Sequence, residues 1–370
     1  MTPWPGITNA DEIPSPALLL DDARMASNLA SMLRIAGDPA RLRPHLKTHK
    51  LPPLVRRQVE AGITKAKVAT IAEAEMAAVY GVRDVLLSMQ PVGPNAHRLA
   101  RLAALFPHVR FSAIVDAPEI VAQLSQAMID SDCGRVLGAF VDLDIGQHRT
   151  GVAPGPGAMA VVEEILRHPT LQFRGLHAYD GHLGIADPVA REAACDAAFA
   201  GVETLRDQLA SAGIPVPVIV AGGSPTFPMH AKRTGVELSP GTTVLWDAGY
   251  GTRLADLPFE PAAFLLTRVV SRPAPDCLCL DLGHKAVGSE MAPPRAIFPA
   301  LPEAEAISHS EEHLVLRTPR AGEFAIGEVL YAIPWHVCPT VALHQEAWLV
   351  RDGRAEERWT VEARARRITI

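Results

Sequence analysis

The chain has 370 residues, 48% hydrophobic and 21% charged, an ordinary globular composition that excludes a disordered, collagen-like or coiled-coil protein. Its 35 basic and 41 acidic residues leave a net charge of −6, so there is no cationic excess to hold nucleic acid or an anionic membrane, and small-molecule chemistry is the expectation. Five cysteines (Cys133, Cys195, Cys277, Cys279, Cys338) are few and not spaced as a disulfide framework, which points to a reducing, cytoplasmic setting.

Residues 1–16 carry acids and four prolines but no basic stretch followed by an apolar run, so no signal peptide is expected. No uninterrupted apolar run approaches the roughly 18 residues of a membrane span. From about residue 40 to 240, short apolar runs alternate with amphipathic ones, the pattern of repeated βα units around a parallel sheet. Eight strands are expected: 41–47, 65–70, 84–89, 110–116, 136–144, 173–180, 216–223 and 235–239. Helices are expected between them at 72–80, 95–106, 118–129, 157–167 and 188–212, where apolar residues recur at three- and four-residue spacing. Eight units fit a closed (β/α)8 barrel, and the Gly-x-Gly-x-x-Gly turn of a dinucleotide-binding open sheet is absent after the first strand. Beyond Trp246 the texture changes to strand-like runs at 263–270, 277–282, 313–317, 329–333, 340–343 and 347–350, punctuated by Pro and Gly. The expected organisation is a barrel domain over residues 1–245 and a mostly β domain over 246–370.

A parallel barrel places its site at the C-terminal ends of its strands. Those ends are polar here: Arg43-Pro44-His45-Leu46-Lys47-Thr48-His49-Lys50, Asp142-x-Asp144-x-Gly146-x-x-Arg149-x-Gly151, His177-Ala178-Tyr179-Asp180-Gly181-His182, Gly222-Gly223-Ser224 and Gly241-Thr242. If its segment is extended, Lys47 alternates inward with Arg43 and His45, bringing to the barrel mouth an amine able to form a Schiff base. The glycine- and hydroxyl-rich loops after the last two strands can cradle a phosphate. His182 is a candidate general base, because an imidazole titrates near neutral pH. Asp142 and Asp144 share a strand face, where partners among barrel-core arginines are expected.

Near the C-terminus, Pro334-Trp335-His336-Val337-Cys338-Pro339 combines an imidazole and a thiol at i and i+2, which an extended backbone would point the same way. That donor pair suits Zn²⁺ better than Mg²⁺ or Ca²⁺. Glu311-Glu312-His313 is either an exposed charged turn or a support for such a metal, and Cys277 and Cys279 read as structural.

Together, the Arg-Pro-His-x-Lys-Thr-His-Lys, Asp-x-Asp-x-Gly-x-x-Arg-x-Gly and Gly-Gly-Ser motifs resemble the alanine-racemase-like pyridoxal phosphate enzymes, and over nearly the full length the D-threonine aldolase and D-serine dehydratase family. The resemblance implies that Lys47 carries the cofactor, that Arg149 approaches its phenolic oxygen, and that Tyr179, Gly222, Gly223, Ser224, Gly241 and Thr242 surround its phosphate. It further implies that His336 and Cys338 bind Zn²⁺ or Mn²⁺, with Mg²⁺ less suited, and that a homodimer acts on a small D-3-hydroxy amino acid. The expected reaction is retro-aldol cleavage to glycine and an aldehyde. The His-x-Cys spelling resembles the dehydratases, whose β-elimination to a keto acid and ammonia is the alternative; aldolases of the family carry His-x-Asp. Racemisation would leave the metal pair without use, and the added β domain argues against a non-catalytic cofactor carrier.

Overall fold

The computed structural model describes residue 4 and residues 6–370. Chain contacts divide it into two units: residues 1–32, 48–51 and 242–364 form one, and residues 33–47, 52–241 and 365–370 the other. The expected single boundary at 245/246 therefore needs correction at the N-terminus. Strand β1 (Ala17–Asp21) pairs antiparallel with β9 (Ala263–Ala274) and parallel with β15 (Glu346–Arg351), so the chain's first segment belongs to the C-terminal sheet. Helix α1 (Asp22–Ala36) follows it.

The second unit is the barrel. Strands β2 (Lys65–Val68), β3 (Asp84–Leu87), β4 (Arg110–Val115), β5 (Leu137–Leu143), β6 (Leu171–Ala178), β7 (Ile219–Ala221) and β8 (Val236–Leu238) form a seven-stranded parallel sheet in chain order. The expected first strand, 41–47, is not one. Pro44 has no N–H to give a ladder, and residues Leu46–Thr48 close into a 3₁₀ turn. The segment still bridges both sheet edges, Leu42 to Leu238 and His45 to Lys67. Arg43 and His45 N–H groups donate to the carbonyls of Leu238 and Pro240 (2.8 Å each), and Lys67 N–H donates to Pro44 (2.9 Å).

The barrel helices are α2 (Pro52–Glu60), α3 (Ile71–Val79), α4 (Pro94–Leu105), α5 (Pro118–Asp130), α6 (Pro156–Arg167), α7 (Pro188–Ser211) and the short α8 (Phe227–Ala231). Five of the seven, α2, α4, α5, α6 and α7, open with proline, whose missing N–H has no intrahelical partner to lose there. Helix α3 instead uses Thr70, whose Oγ1 accepts the Glu73 N–H at 3.1 Å, while Glu73 Oε2 accepts the Ala69 N–H at 2.6 Å.

Leu86, Ile114, Phe140 and Val220 pack inside the barrel. Toward the strands' N-terminal ends the filling is ionic: the fully buried Arg43 donates to Asp84 Oδ1 at 2.8 Å and to Glu237 Oε2 at 2.6 Å. Arg110 and Arg174 reach Asp84 at 3.3 Å each, and Lys65 pairs with Glu237. The Asp84 carboxyl is lowered: burial opposes this, but the Arg43 guanidinium, helped by Arg174 and Arg110, prevails.

In the other unit, β9 is the hub. It pairs with β1, with β10 (Cys277–Leu280) and with β14 (Val329–Pro334); β11 (Ala296–Ile297) pairs with β14, β12 (Glu305–His309) with β13 (Leu314–Arg317), and β15 with β16 (Arg354–Thr360). Its core includes Ile13, Leu19, Phe264, Leu266, Ile333 and Val350, with Trp4 stacked on Phe264 at 4.1 Å. Helix α9 (Ala248–Arg253) precedes β9, and α10 (Val337–Leu343) stands where a strand over 340–343 was expected.

Candidate active site

The barrel unit holds a cavity of about 350 Å³, lined by His45, Lys47, Lys67, Ser88, Gln90, Asp142, Gln147, Arg149, Thr150, His177 and Tyr179 together with apolar residues. Lys47 reaches it from the 3₁₀ turn rather than from an extended strand. Its backbone N–H donates to His45 Nδ1 at 3.4 Å, and His45 Nε2 lies 3.2 Å from Ser88 Oγ.

The acidic motif of β5 builds the rim. Asp142 Oδ2 accepts from Thr150 Oγ1 and Gln90 Nε2, both at 3.0 Å, and Oδ1 lies 2.7 Å from His177 Nδ1. Asp144 Oδ1 accepts the N–H groups of Gly146 and His148, both at 3.0 Å, closing the turn that carries Arg149. Gly151 takes φ +98°, and a Cβ there would stand 2.5 Å from the Asp144 nitrogen, so the return of the chain requires glycine. Thus Asp142 and Asp144 serve a histidine and a turn, in place of the arginine partners expected from their strand spacing. Arg149 Cζ lies 5.3 Å from the Tyr179 ring centroid and Lys67 Nζ lies 5.2 Å from it.

The loop after β7 is held from below. Asp180, buried, accepts from Gly223 N–H at 3.0 Å and Thr226 Oγ1 at 2.7 Å through Oδ1, and lies 2.8 Å from His230 Nε2 through Oδ2. Gly222 takes φ +83°, and a Cβ would meet His230 Cδ2 at 2.7 Å. Ser224 Oγ accepts the Gly241 N–H at 3.1 Å, joining the loops that follow β7 and β8. The N–H groups of Gly222, Gly223 and Gly241 are thus all engaged within the protein, by the Ala178 carbonyl, the Asp180 carboxylate and the Ser224 hydroxyl. Asp180, Cys195 and His230 lie close enough to hold a metal ion. Arg233 nevertheless sits 3.8 Å from Cys195 Sγ and 3.4 Å from His230 Nδ1, and burial with the Asp180 charge pushes the Cys195 thiol up to about 12. A guanidinium beside a neutral thiol is a poor setting for a cation.

His182 is exposed in the loop after β6; a Cβ on Gly146 would approach its Nε2 to 2.9 Å, and it is not part of the cavity lining. Thr242 falls in the sheet unit, where its Oγ1 is 4.0 Å from Cys338 Sγ.

In that unit His336 is the N-cap of α10 and Cys338 lies in its first turn, so the pair is not extended as the flanking prolines suggested. The two side chains nonetheless interact, with Cys338 acting to raise the His336 pKa. Pro334 ends β14, and Pro339 falls in the first helical turn, where N–H groups have no intrahelical acceptor. His336 Nδ1 contacts the Glu290 carboxylate, and Cys338 Sγ donates to Thr48 Oγ1 at 3.3 Å. Burial acts to lower the His336 pKa, but Cys338, Glu290 and Asp247 outweigh it and raise it to about 9. Asp247 accepts the N–H groups of Val337 (3.0 Å) and Tyr250 (2.9 Å), tying α10 to α9; burial raises its own carboxyl. Glu311 and Glu312 both pair with Lys285 on the surface, the exposed-turn alternative.

Sequence reasoning quoted His177 and Asp180 without giving them a role and passed over Lys67, His230 and Glu290. For Lys67 the signal is partial: the i, i+2 spacing of Lys65 and Lys67 puts them on one strand face, but that this face points inward shows only in the structure.

Residues 20–247 match the model of the alanine racemase N-terminal domain, and residues 262–350 that of the putative serine dehydratase domain. The chain belongs to the alanine racemase N-terminal domain family, and its fold is alanine-racemase-like. It is 34% identical over 361 residues to D-threonine aldolase of Arthrobacter sp., covering 95% of this chain and 93% of that one. A 3-hydroxy-D-aspartate aldolase of Paracoccus denitrificans is 31% identical over 379 residues, covering 98% and 95%. The crystal structure of D-threonine aldolase from Filomicrobium marinum matches with a TM-score of 0.90 at 30% identity, covering 97% and 98%. These relatives are lyases, and so is this enzyme.

Proposed function

We propose that the protein is a pyridoxal phosphate- and divalent metal-dependent lyase of D-3-hydroxy amino acids, with retro-aldol cleavage to glycine and an aldehyde as its principal reaction. The observation that carries this reading is the Lys47 amine inside a barrel cavity of about 350 Å³, within the size range of cofactor pockets, next to Arg149 and Tyr179. The donor set fits the cofactor. Gln147, part of the lining, has its Oε1 buried without a hydrogen-bond partner, the kind of acceptor a bound ligand satisfies.

When bound, pyridoxal phosphate supplies an electron sink for the substrate's α-carbon. Lys47 is the residue that holds it covalently. Arg149, anchored over the Tyr179 ring, places a permanent cation at the cavity rim, suited to the cofactor's phenolic oxygen. Tyr179, Gly222, Gly223, Ser224, Gly241 and Thr242 are assigned to the phosphate, with Asp180 fixing the loop beneath it. His336 and Cys338 are assigned to the metal: imidazole and thiolate favour Zn²⁺, with Mn²⁺ the alternative. Glu290 on Nδ1 would orient the imidazole, as carboxylates do behind metal-bound histidines. Such an ion supplies a Lewis acid for the substrate's β-oxygen. His182, outside the cavity lining, is retained as a general-base candidate for substrate at the mouth.

The Cys338 ligand favours elimination to a keto acid and ammonia as a second reading, because the His-x-Cys pair resembles that of the dehydratases. A cytoplasmic homodimer is proposed with either. No helix among the described residues is long and apolar enough to cross a membrane. Purified enzyme assayed with D-threonine, D-serine and D-threo-3-hydroxyaspartate separates the readings: glycine plus aldehyde supports the first, keto acid plus ammonia the second. Chelation is expected to remove lyase activity while leaving the cofactor's visible absorbance. Full activity in metal-stripped protein, checked by elemental analysis, would remove His336 and Cys338 from the assignment.

A further inference from the structure

Among the chain's six lysines, Lys67 is the buried one. It projects from β2 into the cavity that Lys47 also lines. Its Nζ lies 3.5 Å from His177 Nε2, and His177 Nδ1 lies 2.7 Å from Asp142 Oδ1. Burial pushes the Asp142 carboxyl up, yet His177, Thr150 and Gln90 hold it below the usual range, so it is an acceptor. His177 must then carry its proton on Nδ1, which turns the Nε2 lone pair toward Lys67. The result is an aspartate–histidine–amine chain ending in the cavity.

The titratable and charged groups facing Lys67 are Lys47 from the turn, Asp142 from β5, Arg149 from the loop after it, His177 from β6 and Asp180 beyond it. Burial and the Lys47 charge push the Lys67 amine down to about 7 against the pull of both aspartates, while Arg149 adds to the lowering. It therefore exchanges a proton readily at neutral pH.

We propose that Lys67 is the proton carrier for amine exchange at Lys47. An amino acid arrives as an ammonium ion and must lose a proton before its nitrogen can attack the carbon that Lys47 holds. Lys67 Nζ accepts that proton. As the new carbon–nitrogen bond forms and the bond to Lys47 breaks, Lys67 returns the proton to the departing Lys47 amine. The electron pair of the broken bond stays on the Lys47 nitrogen; before that bond breaks, a second proton passes from the substrate nitrogen to the Lys47 nitrogen, so two protons move in all, Lys47 leaves as an ammonium ion, and nothing is oxidised or reduced. His177 and Asp142 hold Lys67 in place and stabilise its charged form.

The inference rests on Lys47 being the cofactor-bearing amine, and glycine tests it without turnover, since glycine has no β-hydroxyl to cleave. Holoenzyme mixed with glycine in a stopped-flow spectrometer should show an absorbance change whose rate rises with pH through an apparent pKa near 7. Lys67→Met should lose that limb and slow the change by about 100-fold, a usual contribution of a positioned acid–base group, at unchanged cofactor affinity. Independently of any variant, ¹³Cε-lysine NMR of the wild-type holoenzyme should show one lysine titrating between pH 6 and 8. Absence of such a signal, or an unaltered pH limb in folded Lys67→Met, overturns the inference alone. Visible absorbance that survives Lys47→Ala overturns the reading beneath it as well.

Discussion

Tyr179 illustrates how a single side chain organises this cavity. Two cations, Arg149 and Lys67, stand 5.3 and 5.2 Å from its ring centroid, and each such contact is worth roughly 0.5–2 kcal/mol depending on desolvation. The aromatic face holds in place cations that would otherwise repel each other beside Lys47. Because Lys47 is assigned the covalent hold on the cofactor, Lys47→Ala is expected to abolish visible absorbance and borohydride-dependent labelling in reconstituted protein. It should leave the circular dichroism spectrum intact, since the side chain takes no part in the barrel's ion network. Labelling that persists would move the assignment to Lys67, the other amine in the cavity. Lys47, Arg149 and Tyr179 were singled out because each lies in a polar motif following an apolar run, and all three line the cavity. Lys67 was not, because a lysine on a short strand reads as solvated until the strand's other face is known to be buried.

At the scale of elements, helix bounds were legible where proline opens the helix, as in α5 and α7, which begin at the residues expected for them. The first barrel segment was read as a strand from the alternation of apolar and amphipathic runs, and the His336–Cys338 segment as extended from its flanking prolines. Pro44 instead breaks a ladder, and Pro339 sits in a helix's first turn. The loop after β7 shows what spacing cannot reveal. Its shape depends on Asp180, 43 residues from Gly223 and 50 from His230, through contacts of 3.0 and 2.8 Å. Asp180→Asn keeps the size but replaces an anionic acceptor, so the loop should relax. A hydrogen bond to a charged group is worth about 1.5–3 kcal/mol, and we expect pyridoxal phosphate affinity to fall roughly tenfold or more by that measure. Pyridoxal, which has no phosphate, should bind the variant and the wild type alike. Equal losses for both ligands, read by fluorescence titration, would show that Asp180 supports the fold generally rather than the loop.

For the molecule as a whole, the buried histidines set the response to acid. Burial lowers His49 from 6.5 to about 3, with the Lys50 charge acting in the same direction, and His177, His309 and His344 are also lowered, each chiefly by burial. A base with a depressed folded pKa leaves the unfolded chain binding more protons between the two values. Its contribution is therefore complete above about pH 6.5 and is lost progressively as pH falls toward 3. Asp84, Asp142 and Asp180 add to the loss below about pH 3.9, because their folded values lie under the ordinary carboxyl range. Asp247, raised by burial, acts in the opposite sense but is a single group. Each unmatched proton contributes a slope of about 1.4 kcal/mol per pH unit. Denaturant unfolding of the wild type should accordingly show stability rising from pH 4.5 to 6.5 and levelling near neutrality. His49 offers the sharpest test, because its Nε2 is buried with no hydrogen-bond partner while Nδ1 accepts the Leu51 N–H at 3.1 Å. His49→Gln keeps an acceptor but cannot take up a proton, so it should flatten the slope between pH 4.5 and 6.5 whatever it costs at pH 7. A variant slope equal to that of the wild type would mean that His49 is not kept neutral by its surroundings.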